Sequence, residues 1–164
     1  MADLATDRLD LGKLLAAVEN APPVDAADVL GQWLADALGA SEASFLVVDF
    51  SGRALVRLGH AGQTNGVRTH GRETAERVPL AGSPQGRALR DQCVEIMGLG
   101  GEVRVFAPVT NRGEAIGVLE LALPEAPDER MLADVALAAH ALAYIVIANR
   151  RFTDLFEWGQ RSVR

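Results

Sequence analysis

Apolar residues recur at helical spacing near the start of the chain, where Leu11, Leu14, Leu15 and Val18 make one face of a helix. Pro22-Pro23 ends it, because neither proline donates a backbone hydrogen bond and Ala21 before them is pushed out of the helical region. A second helix follows, with Asp25 placed to cap it, Val29, Leu30, Trp33, Leu34, Ala37 and Leu38 as its apolar stripe, and Gly39 as its stop. The β-rich runs 43–50 and 53–58, separated by Ser51-Gly52, predict an antiparallel hairpin. From Gly59 to Arg72 four glycines, Thr64, Asn65 and two histidines leave almost nothing to bury, which predicts a long loop and a candidate lid.

Val78 to Leu80 reads as a short strand, and Pro79 within it argues for an edge or a distorted position, since the ladder loses a donor there. Ser83 followed by Pro84 is the favoured order at a helix start. Cys93 to Met97 predicts another short strand. Gly98, Gly100 and Gly101 lead into a strand over Glu102 to Val109, and Asn111 to Glu114 turns it onto Ala115 to Leu123, giving about six strands in all. Pro127 opens a last helix with Asp128 and Glu129 in its first turn, where acidic groups suit the positive end of the helix dipole. Nothing breaks this helix before Gly159, a run of about 30 residues and long for a globular helix.

From Val135 to Ala148 only His140 is not apolar, so this helix needs cover on more than one side. Met131, Val135, Ala138, Leu142, Ile145, Asn149, Phe152 and Phe156 recur every three or four residues and predict a coiled-coil-like seam. The alternative is an intramolecular bundle with the two N-terminal helices, and both hold at once if a dimer forms a four-helix arrangement.

Composition narrows the class. A chain of 164 residues fits one domain with a real core, and 49% hydrophobic with 23% charged residues is ordinary for a globular protein. The net charge of -6 argues against nucleic acid as a partner. Residues 51–90 hold seven basic and two acidic groups, the only segment with a positive balance, so an anionic ligand is drawn there first. The single cysteine, Cys93, excludes an internal disulfide, and the start M-A-D-L-A-T-D has neither a basic nor an apolar leader region, which predicts a cytoplasmic protein. The nearest approach to a membrane span, Met131 to Ala148, carries Asp134 and His140 and is rich in alanine.

Catalysis finds little support. Three scattered histidines offer no metal spacing, and the G-L-G-G run at Gly98 precedes a strand and not a helix, so it is no dinucleotide fingerprint. Cys93 reads as a small buried strand residue, with thiol sensing or chromophore attachment as alternatives. The helix start at Ser83 to Gly86, with Arg87 and Arg90 one turn on, offers backbone N–H groups to a phosphate or carboxylate; ordinary capping with solvated arginines is the plainer account.

The order of helix, strand pair, variable loop, P-L-A-G-S-P-Q-G-R-A-L segment, short strand, R-V-F-A-P-V strand, E-A-I-G-V-L-E-L strand and closing helix resembles a GAF domain over about Asp25 to Asn149. The resemblance implies an α+β, profilin-like fold: a six-stranded antiparallel sheet with helices on both faces and a long C-terminal helix. It also implies a sensory module with a loop-covered small-molecule pocket and a homodimer through terminal helices; with the residues above, the expectation is a non-catalytic chain with no cofactor. Val78, Leu80, Ser83, Arg87, Met97 and Phe106 are then placed near the cavity, and Met131, Val135, Leu142, Ile145, Phe152 and Phe156 on the dimer seam. Haem-binding members ligate iron through histidine, but His140 lies on the helix expected away from the cavity, where a seam histidine is the better reading. The tail R-R-F-T-D-L-F-E-W-G-Q-R-S-V-R is similar to the join between an N-terminal GAF domain and a PPM-type, sporulation-regulator-like serine/threonine phosphatase. The organisation expected is thus a helix over 1–22, the GAF-like domain over 23–149 and the start of a helical linker over 150–164. The alternative is a degenerate GAF-like domain that serves only as a dimerisation and interaction scaffold.

Overall fold

A computed structural model describes residues 10–20, 26–49, 51–62 and 77–144. The elements run α1 (Leu11–Asn20), α2 (Ala26–Leu38), β1 (Glu42–Val48), β2 (Ala54–Gly62), β3 (Arg77–Pro79), α3 (Pro84–Asp91), β4 (Glu95–Leu99), β5 (Glu102–Asn111), β6 (Glu114–Leu123) and a last helix, α4, described over 129–144. The strands form one antiparallel sheet in the order β3-β2-β1-β6-β5-β4.

Local chemistry accounts for the element ends. Asp10 caps α1 by accepting from the Lys13 N–H at 3.1 Å. At the end of α2, Gly39 takes a left-handed φ of 68°, and the Ala40 N–H reaches back to the Ala35 carbonyl at 2.9 Å. Arg112 and Gly113, with φ of 51° and 82°, form the two-residue turn between β5 and β6, a pair of left-handed positions that matches the twist of an antiparallel hairpin. Asp128 caps α4, accepting from the Met131 N–H at 2.7 Å, so Pro127 stands just outside the helix and not within its first turn.

The strands alternate, and each face of the sheet has its own cover. On one side Ala43, Phe45, Val47, Val105, Ala107, Val109, Leu119 and Leu121 pack with Leu14 of α1, Leu30 and Leu34 of α2, and Val135, Ala138 and Leu142 of α4. Each fully buried leucine there contributes about 2 kcal/mol. On the other side Leu46, Leu55, Phe106 and Val118 pack beneath Ala88 and Leu89 of α3. The long helix therefore completes the chain's own helical layer. Val135 and Leu142, which the heptad pattern places on a dimer seam, are 0% and 1% exposed within one chain, and Met131 packs against the same core. Ile145, Phe152 and Phe156 lie outside the described residues.

Three other sequence expectations shift. β2 continues to Gly62, pairing Gly59, His60, Ala61 and Gly62 with β1, so the strand reaches into the segment read as loop; 63–76 lie outside the described residues. β4 begins at Glu95 and not at Cys93, because Gln92 takes a left-handed φ of 49° after α3. Cys93 is accordingly exposed, not a buried strand residue. β3 lies at the sheet edge, where Pro79 does not break a central ladder.

Candidate functional site

A short helix laid across a sheet needs fixed ends, and α3 has both. Ser83 accepts from the Gly86 N–H at 3.0 Å and donates to the Pro79 carbonyl at 2.6 Å, tying the helix start to β3. A Cβ at Gly86 would stand 1.7 Å from the Leu80 carbonyl oxygen, so only glycine lets the helix settle on that turn. At the other end, Gln92 donates its side-chain amide to the Gly113 carbonyl at 2.9 Å, anchoring α3 to the β5–β6 turn.

Under this helix lies a polar island. Ser44, Gln85 and Glu120 are the buried polar or charged residues among those described, and all three belong to it. Ser44 and Glu120 are direct partners across β1 and β6, on the sheet face that α3 covers. Glu120, 6% exposed, receives the Gln85 side-chain N–H on Oε2 at 3.2 Å and the Arg104 guanidinium on Oε1 at 2.9 Å; Arg57 stands 3.8 Å from Oε2. Arg104 also reaches Glu42 at 3.3 Å and Glu102 at 3.8 Å, and Ser41 donates to Glu102 at 2.9 Å. Burial alone would lower the Arg104 pKa, but its hydrogen bond to Glu120 and the charges of Glu120, Glu42 and Glu102 prevail and hold it above the ordinary value. Among the described residues no buried side-chain polar atom lacks a partner.

The six side chains placed near a cavity from the sequence gather around α3. Phe106 is buried beneath it; Val78, Leu80 and Met97 pack at the edges of the same cluster. Ser83 is the cap. Arg87 lies 3.8 Å from Glu95 and points a guanidinium nitrogen at the Met97 sulfur, 4.0 Å away. At the helix start Ser83 itself engages the Gly86 N–H, and in the last turn Arg90 pairs with Asp91 at 3.0 Å. Arg57, Gln85, Arg104 and Glu120 were not singled out in the sequence. For Arg57, Arg104 and Glu120 the signal is a charge at one alternate position of an otherwise apolar strand, as in L-V-R-L, V-R-V-F and V-L-E-L; Gln85, a neutral residue on α3, carries no such mark.

A separate cleft of about 260 Å3 opens between the end of α2 and the start of α4, lined by Leu38, Leu123, Pro124, Pro127 and Met131. It holds no buried polar group, and its Asp128 is engaged as a cap. His140 is exposed on α4, across the sheet from the island. Among the described residues no group of three or more metal-ligating side chains occurs, and no helix is long and apolar enough to cross a membrane.

No protein-family model matches the sequence, and no curated protein matches it either. Solved structures do match the fold. The GAF domain of an Acinetobacter phosphoenolpyruvate-protein phosphotransferase aligns with TM-score 0.71 at 14% identity, covering 92% of this chain and 97% of its own. The corresponding GAF domain from Coxiella burnetii aligns with TM-score 0.72 at 17% identity, covering 88% and 94%. The free methionine-R-sulfoxide reductase of Neisseria meningitidis, in complex with its substrate, aligns with TM-score 0.67 at 18% identity, covering 85% and 87%. The α+β architecture, a six-stranded antiparallel sheet with helices on both faces, is thus that of GAF domain structures.

Proposed function

We propose that this chain with a GAF fold is a non-catalytic sensory domain that takes a small molecule at the polar island under α3 and passes its occupancy to α4. The observation that carries the reading is the Glu120 carboxylate, buried with Ser44 and Gln85 between the sheet and α3 and backed by Arg57 and Arg104. Converging buried polar groups in an apolar setting orient ligands, whereas hydrophobic residues of similar volume would serve packing as well or better. The capacity of the fold to hold a small molecule is illustrated by the Neisseria reductase with its substrate. Reductase chemistry is not proposed, since a thiol redox cycle of that kind draws on several cysteines and the sequence has one.

Strand β6 supplies the route. It presents Glu120 to α3 and, one residue to either side, Leu119 and Leu121 to the helical layer that contains Val135 and Leu142. A shift at Glu120 is therefore felt under α4 through a single rigid strand. We further propose that α4 pairs with its counterpart in a homodimer and that the output is a PPM-type phosphatase, a reading supported by the similarity of the 150–164 segment.

A second reading, a dimerisation and interaction scaffold with no ligand, is favoured by one observation: the polar side chains of the island already satisfy one another. Native mass spectrometry of protein purified from its own host separates the two. A retained small molecule, lost in Glu120→Gln, supports the sensor. Bare protein that no metabolite extract from the host stabilises against heat supports the scaffold and overturns the sensor.

A further inference from the structure

We infer that the island under α3 is an amide-recognition site, filled in this structure by the chain's own Gln85 carboxamide, and that its ligand is a neutral small molecule presenting a carboxamide or lactam edge. The inference rests on reading the island as a small-molecule site. Glu120, Ser44, Arg57 and Arg104 all belong to the sheet and are held by its ladders, while Gln85 alone comes from the helix above.

The charges decide what that helix group is. The Glu120 carboxylate already faces two guanidiniums, Arg104 at 2.9 Å and Arg57 at 3.8 Å, so it does not call for a third cation. An anion in the place of Gln85 would meet Glu120 directly, with Glu42 and Glu102 drawn around Arg104 behind it. The group that suits the position is neutral and donates an N–H to Glu120 Oε2, and the Gln85 amide does so at 3.2 Å. Leu46, Phe106, Val118, Ala88 and Leu89 form the apolar cluster on this face, so an occupant without that N–H leaves Oε2 one hydrogen bond short where little water can replace it.

An incoming amide makes the hydrogen bond that Gln85 gives up, and the exchange is close to isoenergetic at Glu120. The contacts of Ser83 with Pro79 and of Gly86 with Leu80 hold α3 in place while the Gln85 side chain turns outward. Ligand entry is thereby converted into release of one named side chain.

Gln85→Ala empties the carboxamide position and makes the test direct. Propionamide and 2-pyrrolidinone are expected to raise the Tm of Gln85→Ala by more than they raise that of the wild type, while propionate and cyclopentanone, close in shape but lacking the N–H, do not. The lactam should bind roughly tenfold or more tightly than the ketone, the factor expected when one buried acceptor is left without a donor. Equal stabilisation by propionate or cyclopentanone overturns the amide assignment but leaves a small-molecule site; no stabilisation by any of the four removes the site itself. Should Gln85→Ala fail to fold, the wild type is titrated with 2-pyrrolidinone and the Gln85 side-chain N–H signals followed by NMR. Movement toward solvent values with the lactam and not with cyclopentanone supports the inference, and stationary signals overturn it.

Discussion

Glu120 on β6 and Arg104 on β5 sit diagonally across the ladder and meet at 2.9 Å on the face covered by α3. Glu120 is the shared counter-charge for Arg104 and Arg57, both less than one third exposed. Glu120→Gln keeps the shape and removes that charge, so that Arg57 and Arg104 face a neutral amide there while Glu42 and Glu102 remain beside Arg104. The expected cost is about 2–3 kcal/mol, toward the low side of a broken buried pair because both arginines retain some solvent. Urea unfolding reads it as a lower midpoint at unchanged slope. A loss well under 1 kcal/mol would show that the island is not electrostatically coupled.

Gly86→Ala should destabilise, although alanine is the better helix former. In an exposed helix the exchange gains about 1 kcal/mol. Here the new methyl would stand 1.7 Å from the Leu80 carbonyl oxygen, a backbone atom that cannot rotate aside. A net loss of about 1–3 kcal/mol is expected, with the Gln85 side-chain N–H resonances shifting as α3 lifts. A higher Tm for Gly86→Ala than for the wild type would mean that α3 does not rest on Leu80.

Ser83-Pro84 marks the start of α3 because capping is local, and the two-residue turn at Arg112-Gly113 is signalled by its neighbours for the same reason. The island is hidden because its sheet members, Ser44, Arg57, Arg104 and Glu120, each look like an ordinary outward position in their own strand, and Gln85 looks like an ordinary helix residue. Only the pairing of β1, β6 and β5 sets Ser44, Glu120 and Arg104 on one face, and only the docking of α3 buries Ser44 and Glu120. Helix α4 differs for another reason: an alanine-rich helix has a weak phase, and the three-and-four spacing that runs through Val135 and Leu142 also marks the face that packs on this chain's own core.

Asp49 gives a prediction in pH. Its carboxylate closes the β1–β2 turn, accepting from Ser51 Oγ at 2.7 Å and from the Arg53 and Ala54 amides, and it pairs with Arg77 of β3. The Ser51 hydrogen bond leads these effects, against some opposing burial, and holds the carboxyl at about 2, below its ordinary 3.8. A pKa depressed by folding stabilises above the ordinary value and loses that contribution as pH falls through the folded one. The stability difference between the wild type and Asp49→Asn should therefore be constant above about pH 4 and shrink between there and about pH 2. A difference that persists unchanged at pH 2 contradicts the assignment.

The surface of α4 that the fold leaves open makes the last prediction. Ala133, Ala136, Leu137, His140 and Tyr144 are exposed, with Leu137 at 42% and Tyr144 at 75%. Positions 133, 137, 140 and 144 follow a four-three-four spacing, a seam for a second α4 with no demand on the core. The proposed homodimer therefore uses this stripe and not Val135 and Leu142, and the two alternatives separate cleanly by substitution. Leu137→Glu should halve the mass seen by light scattering while leaving the monomer's far-UV spectrum intact. Leu142→Ala should instead cost about 2–4 kcal/mol of stability, as expected for a cavity in the core, at any protein concentration. A wild type that is monomeric at every concentration would remove the dimer from the mechanism, and Leu137→Glu that remains dimeric would place the seam elsewhere on the chain.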